Sequence, residues 1–148
     1  MDMNFEDTIN NICLLEPICG NDLPAIVLTS THENIGESMA TIASVVTNTL
    51  DEREIDIVVL HSDLDYYDIR MIKYFVNKQP GNIKIRTCCV AHDYNKGYIH
   101  IDRRYSDSFI NMVFMPYIMK RYQKVIYICR FFPLSRFCRF WGIFGKFR

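Results

Sequence analysis

The side chains in this sequence that could do chemistry fall into a few groups. His61, Asp63 and Asp65 alternate along one short stretch, and His92, Asp93, His100 and Asp102 crowd a second. Imidazoles and carboxylates together are common donors for a borderline divalent metal. A helix-borne site needs its histidines three or four residues apart, and His92 and His100 are not so spaced. The expectation for that stretch is a polar loop. Asp65 stands directly before a helical pattern, where a carboxylate satisfies the free N–H groups of a first turn, so it is expected to be an N-cap. No two carboxylates are recognisable as an acid–base couple.

The six cysteines do not form a disulfide framework. Cys88 and Cys89 are adjacent in a strand-like run, so their side chains should point to opposite faces. Cys13 and Cys19 are not spaced as a CxxC pair, and Cys129 and Cys138 lie in a compositionally odd tail. Reduced thiols of a cytosolic protein are the expectation. Several familiar signatures are missing: GxGxxG after the first strand, the phosphate-loop GxxxxGK[ST], and the GxSxG elbow. Met112, Met115 and Met119 recur at helical spacing and read as packing.

The elements that must position these groups follow from hydrophobic periodicity. Residues 1–23 are a poorly patterned lead-in, with a short helix expected from Phe5 to Leu15 and a turn at Gly20-Asn21-Asp22. Ala25–Thr29 is an uninterrupted apolar run, as a strand covered on both faces requires. In Ile35–Asn48, Met39, Ile42, Val45 and Val46 repeat with helical period. Glu54–Leu60 reads as a second strand, and Asp65–Asn77 as a helix with Ile69, Ile72, Phe75 and Val76 on one face. After the turn at Pro80-Gly81, Asn82–Val90 alternates as a third strand. A polar loop over 91–105 leads to a helix capped by Ser106 or Asp107 and running to about Arg121, with a kink expected at Pro116. Lys124–Ile128 is a fourth strand.

Alternating strands and helices of these lengths predict an α/β fold: a Rossmann-like, mostly parallel sheet of at least four strands flanked by helices. In such a sheet ligands bind beyond the carboxyl ends of the strands. The loops at 29–34, 61–65 and 90–105, and the residues after 128, should surround any site.

Charge divides the chain. Net charge is zero over 148 residues, yet residues 129–148 hold five basic side chains (Arg130, Arg136, Arg139, Lys146, Arg148) and no acid, leaving −5 on the rest. An acidic body argues against a nucleic-acid partner. Asp2, Glu6 and Asp7 stand where a secretion signal would be basic, and no run reaches the roughly 20 apolar residues of a membrane span. The expected location is cytoplasmic, with peripheral attachment at the inner face of the membrane if the tail acts as an anchor.

The order of these segments resembles the start of glycosyltransferase family 8. Ile26-Val27-Leu28-Thr29-Ser30-Thr31-His32-Glu33-Asn34, then a helix containing Ala43-Ser44-Val45, is similar to the family's opening strand, its Ala-Ser/Thr-Asp-x-x-Tyr loop and the helix that follows. Ile55–Leu60 and Asn82-Ile83-Lys84-Ile85 resemble its second and third strands. Tyr122-Gln123-Lys124-Val125-Ile126-Tyr127-Ile128 looks like the phrase Tyr-x-Lys-Val-Leu/Ile-Tyr-Leu/Ile, which in the family runs directly into Asp-x-Asp. The similarity covers about residues 24–128.

The resemblance implies a GT-A fold and a bacterial-type enzyme that uses Mn²⁺. It implies transfer of a hexose from a UDP-sugar donor to a glycan or lipopolysaccharide-type acceptor, with retention at the anomeric carbon. A pair of strand-end carboxylates is needed there to hold a hard divalent ion against the departing diphosphate. Carried onto this chain, the nucleotide-binding positions are Thr29, Ser30, Thr31 and Asn34, with Thr31 in place of the loop Asp and Asn34 in place of the Tyr. The Arg that often precedes Asp-x-Asp falls on Met112, and Arg103 or Arg104 would be the substitute phosphate contact. The two metal-binding Asp positions fall on Cys129 and Phe131, so the chain is expected to be an inactive fragment of a transferase, or a non-catalytic nucleotide-binding or interaction module.

The tail over 129–148 supports two expectations. Cys129-Arg130-Phe131, Ser135-Arg136-Phe137 and Cys138-Arg139-Phe140 repeat one theme. With codons TGC-AGA-TTC, reading one base later turns Cys-Arg-Phe into Ala-Asp followed by Ser. Loss of two bases from ATT-GAT-GCA-GAT would convert Ile-Asp-Ala-Asp into Ile-Cys-Arg, so a frameshift explains the sudden loss of acids. Alternatively, seven aromatics interleaved with five cations make an interfacial membrane anchor, although Pro133, Gly142 and Gly145 interrupt any continuous amphipathic helix. In either case the sheet is expected to leave an open edge at its fourth strand.

Overall fold

A computed structural model describes residues 14–20, 22–49, 53–90, 107–128 and 142–144. Its elements are β1 (Ala25–Thr29), α1 (Ile35–Asn48), β2 (Ile55–His61), α2 (Tyr66–Asn77), β3 (Ile83–Cys89), α3 (Asp107–Ile118), β4 (Val125–Ile128) and β5 (Gly142–Phe144), with a single 3-10 turn at His32–Asn34 before α1. Among the described residues the sheet has five strands in the order β3-β2-β1-β4-β5. The first four are mutually parallel, and β5 runs antiparallel to β4.

β1 and β2 are buried along their whole length, which is why β1 reads as an apolar run and β2 is apolar apart from Asp56 and His61. On one face, Ile26, Leu28, Ile55, Ile57 and Val59 pack against Ile42 and Val46 of α1 and Ile72 and Val76 of α2. On the other, Ala25, Val27, Val58, Leu60, Val125 and Tyr127 pack against Phe114, Met115 and Ile118 of α3, with Met119 just beyond it. Each such aliphatic or aromatic side chain contributes about 1.5–3 kcal/mol of transfer free energy. Edge strand β3 is covered less completely, with only Cys88 buried.

The placement of the helices follows from chirality. The path β1-α1-β2-α2-β3 steps outward in one direction with both helices on one face, while β3-α3-β4 returns past β1. A right-handed crossover in the reverse direction must lie on the opposite face, and α3 does. The chain therefore changes direction between β1 and β4.

Boundaries agree closely with the periodicity, with a few differences. α2 begins at Tyr66 behind a capping box in which Asp65 and Asp68 each accept from the other's backbone N–H. Gly81, with φ of 102°, makes the turn into β3 in a conformation that favours glycine. α3 carries Pro116 within it and ends at Ile118, short of the expected Arg121; Met119 and Tyr122 continue in turns bonded to Met115 and Met119. The expected open edge beside β4 does not hold throughout, because Val125–Tyr127 pair with Gly142–Phe144. Of the helix expected over Phe5–Leu15, residues 5–13 lie outside the described residues, and the following stretch is irregular. Among the described residues no helix is long and apolar enough to cross a membrane.

Candidate functional site

Helices α1, α2 and α3 run antiparallel to the parallel strands β1–β4, so their amino ends and those strands' carboxyl ends share one rim of the sheet. Because the strand order reverses between β1 and β4, the place where sheets of this kind bind ligands lies beyond Thr29 and Ile128. Thr29 and Ser30 are buried there, and Thr31 and Asn34 are half-buried. The Ser30 amide donates to the Leu60 carbonyl at 3.0 Å, carrying the β1–β2 pairing one residue past the strand. Ser38, in the first turn of α1, donates its hydroxyl to Ser30 Oγ at 2.8 Å. Asn34 Nδ2 donates to Thr31 Oγ1 at 2.6 Å, and the Asn34 amide to the Thr31 carbonyl at 3.0 Å.

The four predicted nucleotide-binding residues are thus brought together in one tight turn. Asn34 occupies the N-cap position of α1, but its side chain is turned to Thr31 and does not cap the helix. The amino end of a helix with no side-chain cap carries free N–H groups and partial positive charge, a surface suited to a phosphate.

Beside this turn lies a polar cluster that joins two loops. The His32 amide donates to Asp63 Oδ1 at 3.2 Å, and His32 Nδ1 lies 2.7 Å from Asp68 Oδ2. Hydrogen bonding to Asp68, and then the charge of that carboxylate, holds the His32 imidazole above its ordinary pKa. For Asp68 burial acts upward, but the bonds from His32 and the Asp65 amide, with the nearby imidazoles, outweigh it and hold the carboxyl below its usual range. His61 ends β2 with 4% of its surface exposed and, among the described residues, its Nδ1 has no partner. Burial pushes this imidazole's pKa down, against the weaker opposing pull of Asp63 and Asp68. The Ser62 hydroxyl is also buried without a partner among the described residues.

A second buried polar group lies at the opposite end of the sheet. Arg86 donates to both oxygens of Asp56 at 3.0 and 2.8 Å, and its other terminal nitrogen donates to the Glu16 carbonyl at 2.8 Å. The Tyr122 hydroxyl joins Arg86, Asp56 and the Glu16 carbonyl. These bonds tie the irregular lead-in to β2, β3 and the start of β4.

Asp65 is the cap that was expected, and Asp63 anchors the turn after β1. Cys88 is buried and Cys89 exposed, as adjacent strand positions require. Sequence reasoning missed His32 and Asp68 as a pair, because they stand 36 positions apart and neither follows a recognisable spacing. It also missed the Asp56–Arg86–Tyr122 group; an acid and a base inside apolar strands were the only signal. Arg103, Arg104, His92, Asp93, His100, Asp102, Cys129 and Phe131 lie outside the described residues.

No protein-family model and no curated protein matches this sequence. Among solved structures, the chain is similar to the apo form of WbbM, a bifunctional glycosyltransferase. The match has a TM-score of 0.61 at 23% sequence identity and covers 78% of this chain. The chain spans 20% of the length of that protein. The architecture built above, a mostly parallel sheet between helical layers whose strand order reverses at β1 and β4, is a Rossmann-like α/β fold, and it is the fold this chain shares with that structure.

Proposed function

We propose that this chain is the nucleotide-binding part of a glycosyltransferase related to family 8, taking a hexose from a UDP-sugar toward a glycan or lipopolysaccharide-type acceptor. The observation that carries the proposal is the position of the Thr29–Asn34 turn at the β1–β4 reversal of a fold shared with a glycosyltransferase. The uncapped amino end of α1 beside that turn supports a diphosphate there. In this reading Thr29, Ser30, Thr31 and Asn34 flank the nucleotide, and Arg103 or Arg104 contacts its phosphates.

The Mn²⁺ that the resemblance implies does not fit the residues at the corresponding positions. Cys129 and Phe131 offer a thiol and a benzyl group where a hard cation bridging a diphosphate takes oxygen ligands. The chain by itself is therefore expected to hold nucleotide without transferring sugar. The same substitutions favour a second reading, a non-catalytic nucleotide-binding or interaction module.

Thermal unfolding of the full chain with UDP, with and without Mn²⁺, tests the proposal. UDP is expected to raise the melting temperature whether or not Mn²⁺ is added. The stabilisation approaches about 2.7 kcal/mol at a hundredfold excess over Kd. Asn34→Ala should diminish it. The absence of any shift at millimolar UDP or UDP-hexose rejects nucleotide binding. Sugar transfer by this chain alone would overturn the expectation of inactivity and reject the second reading.

A further inference from the structure

We propose that the turn after β1 and the first turn of α2 form a site for a zinc-class divalent ion, with His32, Asp65 and Asp68 as ligands. Each of these residues presents a ligand atom, and the three atoms lie within 4.8 Å of one another. One imidazole nitrogen with two carboxylate oxygens is a donor set for zinc or cobalt, and three protein ligands leave a position open to water or an oxyanion. The capping box engages only Oδ1 of Asp65 and Oδ2 of Asp68, so each carboxylate has a second oxygen to offer an ion without unmaking the helix start. The two loops are already held in register by the bond from the His32 amide to Asp63.

A separate observation at the same place points to a ligand. His61 is 4% exposed, its Nδ1 has no hydrogen-bond partner among the described residues, and in the strand alternation it shares the parity of Ile57 and Val59, which pack with α1 and α2. It is near enough to Asp68 and Asp63 to interact electrostatically with both. A buried ring nitrogen left unpaired is a group that an ion, or a water bound to one, would satisfy. The site stands beside the proposed nucleotide site and does not depend on nucleotide binding.

The test is titration of the metal-free full chain with Co²⁺, followed by visible absorption, with Zn²⁺ as competitor and no nucleotide present. One equivalent of Co²⁺ is expected to give d–d bands of a low-coordinate site, abolished by Zn²⁺. His32→Ala removes an exposed ligand, and Asp65→Asn removes a carboxylate while keeping a residue that caps equally well. Each is expected to weaken binding by roughly 100-fold or more, with unchanged circular dichroism. Absence of d–d bands, binding unaltered in both variants, or sulfur-to-cobalt charge transfer showing that cysteines hold the ion would overturn the proposal.

Discussion

Asp56 occupies the second position of β2 with 2% of its surface exposed, a place where an unpaired carboxylate would be very costly. Arg86 engages both of its oxygens, and Tyr122 donates to one of them. Removing one partner from such a pair leaves a buried charge without compensation, so Asp56→Ala is expected to cost about 3 kcal/mol in urea unfolding. Replacing Asp56 and Arg86 together with leucine should cost much less, because no charge is stranded. Tyr122 adds a pH signature. Burial, and then the Asp56 carboxylate, raise its phenol pKa against the smaller opposing effect of Arg86. A raised folded-state pKa contributes stability that is complete below the unfolded value near 10 and is lost as pH climbs through the folded value. Stability should therefore decline above pH about 10, and less steeply in Tyr122→Phe. None of this was legible beforehand: Asp56 and Tyr122 lie 66 positions apart, and only the folded sheet brings them together.

At the scale of elements most of the structure was legible, for physical reasons that differ by element. Ala25–Thr29 and Ile35–Asn48 match their expected limits because one is uniformly apolar and the other repeats with helical period. Asp65 was readable as a cap from its position alone, whereas Asp68 as the reciprocal half of the box was not; the usual signature there is Glu or Gln. Two substitutions separate the cap from the layer it supports. Asp65→Ala should lower stability by about 1 kcal/mol, and Asp65→Asn should be nearly neutral. Ile72→Ala, at a fully buried position on the same helix, should cost about 2–5 kcal/mol because it leaves a cavity against β2. A comparable loss from Asp65→Ala and Ile72→Ala would mean that the helix start is held by more than its cap.

For the whole molecule, the alternation of strands and helices predicted a parallel sheet, but not where β4 would lie. Its position depends on which face α3 covers, a consequence of handedness acting on the complete path. The antiparallel β5 left no periodic signal at all, because three residues following a stretch of alternating cations and aromatics do not announce a strand. Its pairing with β4 changes what the tail is expected to do. Gly142–Phe144 lend their backbone to the sheet edge, and those residues cannot at the same time lie in a membrane surface as a helix. Deleting residues 129–148 should therefore uncover the backbone of Val125–Tyr127 and expose an apolar strand to pairing with other chains. The shortened chain is expected to melt at lower temperature than the full one, and to elute as aggregate in size-exclusion chromatography with light scattering. If it remains monomeric with an unchanged melting temperature, β5 contributes nothing to the sheet and the tail is free for another role.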